Sequence, residues 1–159
     1  MPESAARSRR RNPPQVAGWR EIISLPGLGA GPFIAKLDTG ANSASLHAEN
    51  IEVFLKDLRP HVRFDVPDNT EKSRILRCEL PLKGSRRVKN TGGVAETRLV
   101  IETEIALGGH IWKAPITLSD RTDMGVPMLL GRTTMRGRFI VNPDRSFLLT
   151  EPESGPEPT

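Results

Sequence analysis

Thr97-Arg98-Leu99-Val100-Ile101-Glu102-Thr103-Glu104-Ile105-Ala106-Leu107 puts Leu99, Ile101, Thr103, Ile105 and Leu107 at alternate positions, with Arg98, Glu102 and Glu104 between them. A period of two belongs to a strand with one buried face; a helix would repeat its apolar residues at spacings of three and four. The run stops at Gly108-Gly109 and a second apolar stretch, residues 111–118, follows, so the pair predicts a hairpin across the glycines. The same texture continues outward on both sides. Residues 19–25 end at Pro26-Gly27 and residues 33–37 end at Asp38-Thr39-Gly40; residues 62–66 and 75–82 are further short runs. Met128-Leu129-Leu130 and Phe139-Ile140-Val141 complete the set. Residues 133–136 alone suggest a helical turn, and residues 46–58 are ambiguous. The expectation is all-β, a closed barrel or a sandwich with at most one short helix.

The 159 residues, 36% of them hydrophobic, with 14 glycines and 14 prolines, suffice for one domain and not two. Five arginines (Arg7, Arg9, Arg10, Arg11, Arg20) face only Glu3 in the first twenty residues, and the rest of the chain is balanced, so the net charge of +4 resides in this arm. Residues 1–17 are expected to be a disordered basic tail capable of weak nucleic-acid contact, and 150–159 a disordered acidic, proline-broken tail. The folded part is expected at 18–149. No stretch approaches the roughly 18 consecutive apolar residues of a membrane span, and no apolar segment follows the N-terminal arginines. Cys78 is the only cysteine, which fits a reducing compartment. A cytoplasmic protein with no membrane partner is expected.

Chemistry concentrates at Ala35-Lys36-Leu37-Asp38-Thr39-Gly40-Ala41, where an acid, a hydroxyl and a glycine directly follow an apolar strand. A turn closing a hairpin would also use Asp and Gly here. The chemical alternative is an aspartic-type hydrolase, in which two such carboxylates approach so closely that they share one proton. One then activates water as general base and the other acts as general acid. About ninety residues on, Met128-Leu129-Leu130-Gly131-Arg132 supplies a hydrophobic-hydrophobic-glycine strand of the kind that lies beside such a loop.

These segments, with Gly18-Trp19-Arg20-Glu21, Ser45-Leu46-His47-Ala48, Arg77-Cys78-Glu79 and Gly137-Arg138-Phe139-Ile140-Val141-Asn142-Pro143, resemble a bacterial family of small retropepsin-like aspartic peptidases. That family has also carried the label "ATP-dependent zinc protease". The resemblance implies a retropepsin-like closed β-barrel, one aspartic protease lobe. It implies Asp38, Thr39 and Gly40 as the catalytic loop, supported by Ala41, Leu130, Gly131 and Arg132. It also implies a link to ribosomal-protein modification, with glutamate-rich tails trimmed after a ligase adds them. A single chain holds one Asp-Thr-Gly, so an active dyad requires a homodimer. There is no tyrosine to serve as a flap residue, and Asn42-Ser43 offers no acid to pair with Arg132.

The run Lys83-Gly84-Ser85-Arg86-Arg87-Val88-Lys89 reads as a solvated hairpin or as a flap over the cleft. In the second case Arg86, Arg87, Lys89 and Arg98 face substrate, and guanidinium groups favour carboxylates. No metal is expected, since His-Glu-x-x-His is absent and His47, His61, His110 and Cys78 stand far apart, although three distant ligands could still meet in space, and a metal-dependent hydrolase is the third and weakest reading. No phosphate-cradling loop is present and no cofactor is expected. His47 is read as a packed or surface histidine and Cys78 as a small buried apolar residue. The rival to a peptidase is a non-catalytic β-barrel module that binds acidic peptide or RNA.

Overall fold

The structure, a computed structural model, describes residues 13–68, 74–89, 92–120 and 125–152. All of the N-terminal arginines but Arg20, and the acidic end beyond Pro152, lie outside the described residues.

Among the described residues, twelve strands and one α-helix follow in order. They are β1 (Gln15–Gly18), β2 (Arg20–Leu25), β3 (Ala30–Leu37), β4 (Ala44–His47), β5 (Glu49–Lys56), β6 (Arg59–Asp68), β7 (Arg74–Pro81), β8 (Gly84–Lys89), β9 (Ala95–Leu107), β10 (His110–Ser119), β11 (Met128–Leu130), α1 (Arg132–Met135) and β12 (Phe139–Asn142). Six strands close a ring in the order β10-β4-β11-β3-β2-β9 and back to β10, which removes the exposed sheet edges. Alternate residues of these strands fill the barrel: Ile23, Leu25, Leu46, Ile101, Ile105, Leu107, Ile116, Met128 and Leu130 are fully buried or nearly so. The sheet β5-β6-β7 adds Val62, Phe64 and Val66 to the same core.

The chain begins its folded part earlier than expected. Gln15, Val16 and Ala17, assigned to the tail by sequence, form β1, which pairs in parallel with β12. At the other end Thr150 is also fixed. Glu21, fully buried, accepts the N–H groups of Gly18, Leu148, Leu149 and Thr150 and the Thr150 hydroxyl, fastening both ends of the chain to β2. Gly18 is required at this crossing, because a Cβ would lie 2.7 Å from the Phe147 nitrogen.

Strand β9 departs from its simple alternation. Ile101, Thr103, Ile105 and Leu107 are buried as the pattern demands, yet Arg98 and Val100 on the opposite face are buried as well, while Leu99 is half-buried. The cause is a change of partner: residues 100–107 pair with β10 in the barrel, and residues 95–100 pair with β8 in an arm that leaves it. In the arm the covered face is the one opposite Leu99. The Arg86 guanidinium reaches across from β8 to the Ser43 hydroxyl at 2.8 Å, joining the arm to the turn after β3.

Candidate active site

β11 lies between β3 and β4, parallel to the first and antiparallel to the second. The connection from β3 to β4, residues 38–43, must therefore cross the end of β11, and Asp38 is its first residue. The Asp38 N–H donates to the Leu130 carbonyl (2.8 Å), and the Gly40 N–H donates to Asp38 Oδ1 (2.8 Å). From beneath, the Arg132 and Thr133 N–H groups donate to the Ala41 and Asn42 carbonyls, both at 2.9 Å. Arg132 Nη1 donates to the Thr39 carbonyl (2.9 Å), so the arginine that lacks an acidic partner in sequence is held by main chain. Gly131 is needed for this stacking, since a Cβ there would stand 2.6 Å from the Ser43 backbone nitrogen and oxygen. With both ends of the loop tied to β11 and α1, the Asp38 carboxylate has a fixed position.

The loop floors a cleft of about 530 Å³. Asp38, Gly40 and Ala41 line it on one side, and Arg86, Arg87, Lys89 and Arg98 of the arm on the other; Thr39 exposes its side chain outside it. The alternation of β8 divides the basic residues. Arg86 is half-buried, Arg87 and Lys89 are exposed, and Arg98, directly opposite Arg86 in register, is only 8% exposed. Arg98 Nε is paired with Glu96 at 2.7 Å, whereas Arg86 donates to a neutral hydroxyl. Like charges held opposite one another are unfavourable unless an anion or a neighbouring acid offsets them. The cleft therefore presents one acid among four cations, with a positive field suited to a carboxylate-bearing ligand.

Sequence reading missed the polar wall between floor and arm. Ser43, Ser45 and Thr117 line it, with Ser45 Oγ and Thr117 Oγ1 2.9 Å apart. The alternation of β4 and β10 carries a signal for these hydroxyls only once the two strands are known to be neighbours. His47, expected to be isolated, meets Glu49 and Asp120; one ligand atom from each lies within 4.8 Å of the others. Cys78 is buried, and desolvation, reinforced by the charge of Asp65, pushes its thiol up to about 11, which keeps it protonated and unreactive at neutral pH.

A family model described as RimB-like, retropepsin-like aspartic endopeptidase RimB, matches residues 16–152. Among curated proteins, the chain is 42% identical over 135 residues to a probable alpha-L-glutamate ligase of Parasynechococcus marenigrum. It is 39% identical over 135 residues to another from Shewanella halifaxensis. These alignments take in 84% of this chain but only 29% and 30% of the relatives, so the chain spans less than a third of the length of the curated proteins it matches. A crystal structure of a Legionella pneumophila protein of unknown function superposes with a TM-score of 0.71 at 32% identity, covering 86% of this chain and 98% of that one.

Proposed function

Because the chain belongs to the RimB-like family of retropepsin-like aspartic endopeptidases, we propose that it is an aspartic-type endopeptidase in which two copies each contribute Asp38. The observation that carries this reading is the position of Asp38 on the floor of an open cleft, in a loop tied to β11 and α1. One carboxylate cannot at the same moment accept the proton of water and donate a hydrogen bond to the scissile carbonyl, and each chain brings one. Across a two-fold axis the pair would share a proton. The ionised Asp38 takes a proton from water as the water oxygen attacks the scissile carbonyl carbon, while the protonated Asp38 hydrogen-bonds the carbonyl oxygen. Collapse of the tetrahedral intermediate then breaks the C–N bond, and the proton passes to the departing nitrogen. Gly40 holds Asp38 Oδ1 through its N–H, and Thr39 offers its carbonyl to Arg132, so both shape the loop.

The substrate that fits is a glutamate-rich peptide, such as a glutamate-extended tail of a ribosomal protein in the cytoplasm. Arg86, Arg87 and Lys89 support it through the charge they bring to the cleft, where Arg98 is offset by Glu96. So do the names of the curated relatives, in which a module like this one is part of a protein called a glutamate ligase. Making and trimming glutamate chains are opposed reactions on one polymer.

The test is incubation of glutamate-extended peptides with wild type and Asp38→Asn, read by mass spectrometry, with peptide affinity and sedimentation measured alongside. Wild type should cleave as a dimer, and Asp38→Asn should keep the fold and peptide affinity but lose cleavage. Hydrolysis retained by Asp38→Asn overturns the assignment. Tight binding of acidic peptide with no cleavage by wild type replaces it with the non-catalytic module.

A further inference from the structure

We infer that His47, Glu49 and Asp120 form a binding site for one divalent transition-metal ion at the end of the cleft wall. The three residues come from separate elements that the barrel brings together. β4 and β10 run parallel with His47 opposite Ser119, so Asp120, the next residue, leaves β10 beside the imidazole. The strand ends are pinned: the His47 N–H donates to the Pro127 carbonyl at 2.9 Å, and the Ala48 N–H to the Ser119 carbonyl at 3.0 Å. Glu49 opens β5, where the pairing with β6 shifts register before Glu52. Its Oε2 stands 3.0 Å from His47 Nε2.

The donor set suits a metal in number, charge and hardness. One imidazole nitrogen and two carboxylate oxygens lie within 4.8 Å of one another. Ligands at bond lengths of about 2.0–2.2 Å around a tetrahedral ion are separated by roughly 3.4 Å. Only a small inward movement is needed, and Asp120 is exposed and able to supply it. His47 is 9% exposed, so its ring is held by packing with Nε2 toward the carboxylates. A dication offsets both carboxylate charges, which otherwise face each other at short range. An imidazole ligand selects Zn²⁺ and its neighbours over Mg²⁺ or Ca²⁺, and three protein ligands leave a fourth position open. His47 shares a strand face with Ser45, two residues and roughly 7 Å along β4, so the site continues the row of polar side chains that lines the cleft.

Chelator-treated, untagged full-length protein should be titrated with Zn²⁺ by calorimetry, with Mg²⁺ in parallel and thermal unfolding as a second readout. One Zn²⁺ per chain should bind and raise the melting temperature, and Mg²⁺ should do neither. Glu49→Gln and Asp120→Asn should each weaken Zn²⁺ by at least the roughly 10- to 100-fold that follows loss of a group merely orienting a ligand. His47→Ala should abolish binding; should that buried position not tolerate alanine, the two carboxamide variants decide. No saturable Zn²⁺ binding, or equal affinity in wild type and both carboxamide variants, overturns the inference. The titration reads nothing of Asp38 chemistry, so this site stands or falls apart from the peptidase reading.

Discussion

Changing Glu21 to Gln alters one atom in a side chain that accepts five hydrogen-bond donors. The Glu21 carboxylate is fully buried on β2 and accepts main-chain N–H groups from Gly18, Leu148, Leu149 and Thr150 together with the Thr150 hydroxyl. Glutamine keeps one acceptor oxygen and turns an NH₂ toward the donors that the other oxygen served. If the amide oxygen takes the Thr150 pair, the Gly18 and Leu148 N–H groups lose their acceptor and meet a donor. Hydrogen bonds to a charged group contribute about 1.5–3 kcal/mol each, so two losses amount to about 3–6 kcal/mol. Peeling of residues 148–150 into water recovers some of this, which leaves an expected loss of about 3–4 kcal/mol from a domain stability of the order of 5–15 kcal/mol. Urea unfolding followed by tryptophan fluorescence measures it, the midpoint falling with little change in slope. Limited proteolysis should begin near residues 145–150. A loss under about 1 kcal/mol would refute the reasoning, since it would mean that the five donors find water or one another without the carboxylate.

Gly131→Ala should destabilise by about 1–3 kcal/mol and remove the proposed peptidase activity in the same step, because its Cβ would overlap Ser43 backbone and displace the Asp38 loop; wild-type stability would contradict the packing. Arg86→Glu should weaken cleavage of acidic peptides far more than neutral ones, and more than Arg87→Glu does, because Arg86 is half-buried in the cleft and Arg87 exposed; equal losses on both peptide classes in a kcat/KM comparison would count against a charge-reading arm. Asp65 is held below its ordinary value of 3.8, first by the hydrogen bond from the Asn50 amide and then by the Arg77 charge, with burial opposing them. A folded-state pKa below the unfolded one stabilises the protein above the unfolded value, and that contribution disappears as pH falls through the folded one. Asp65→Asn should therefore flatten the acid limb of stability against pH, measured by urea midpoints; an unchanged acid limb would exclude Asp65 as a contributor.

Five of the six barrel strands were readable because each buries one face, and burial leaves an alternation in the residues. Three strands were not. β4 has four residues, two of them in the ambiguous stretch 46–58. β5 buries no side chain fully, so nothing in Glu49 to Lys56 is constrained to be apolar at every second place. β1 has four residues and gains its place only by pairing with β12, far away in sequence. Arg98 shows the limit of pattern within a strand that was read: alternation separated its face from that of Leu99, but which face is covered changes where β9 leaves β10 for β8 alone. The same rule separates Arg86 from Arg87 and Lys89, which sequence had grouped as equivalent.

What the residues alone determined is local: the run of short strands, the acid-hydroxyl-glycine turn that begins at Asp38, and the Leu130-Gly131-Arg132 element, each specified by backbone preference and side-chain chemistry within a few positions. Tertiary structure decided whatever depends on which strands become neighbours. The insertion of β11 between β3 and β4 sets Thr39 against Arg132, the crossing of both chain ends at Glu21 extends the fold to Gln15 and Thr150, and the parallel β4–β10 pair brings His47 to Asp120. Strand pairing between distant segments is settled by closure of the barrel and burial of its interior, a property of the whole chain that no short stretch of it encodes.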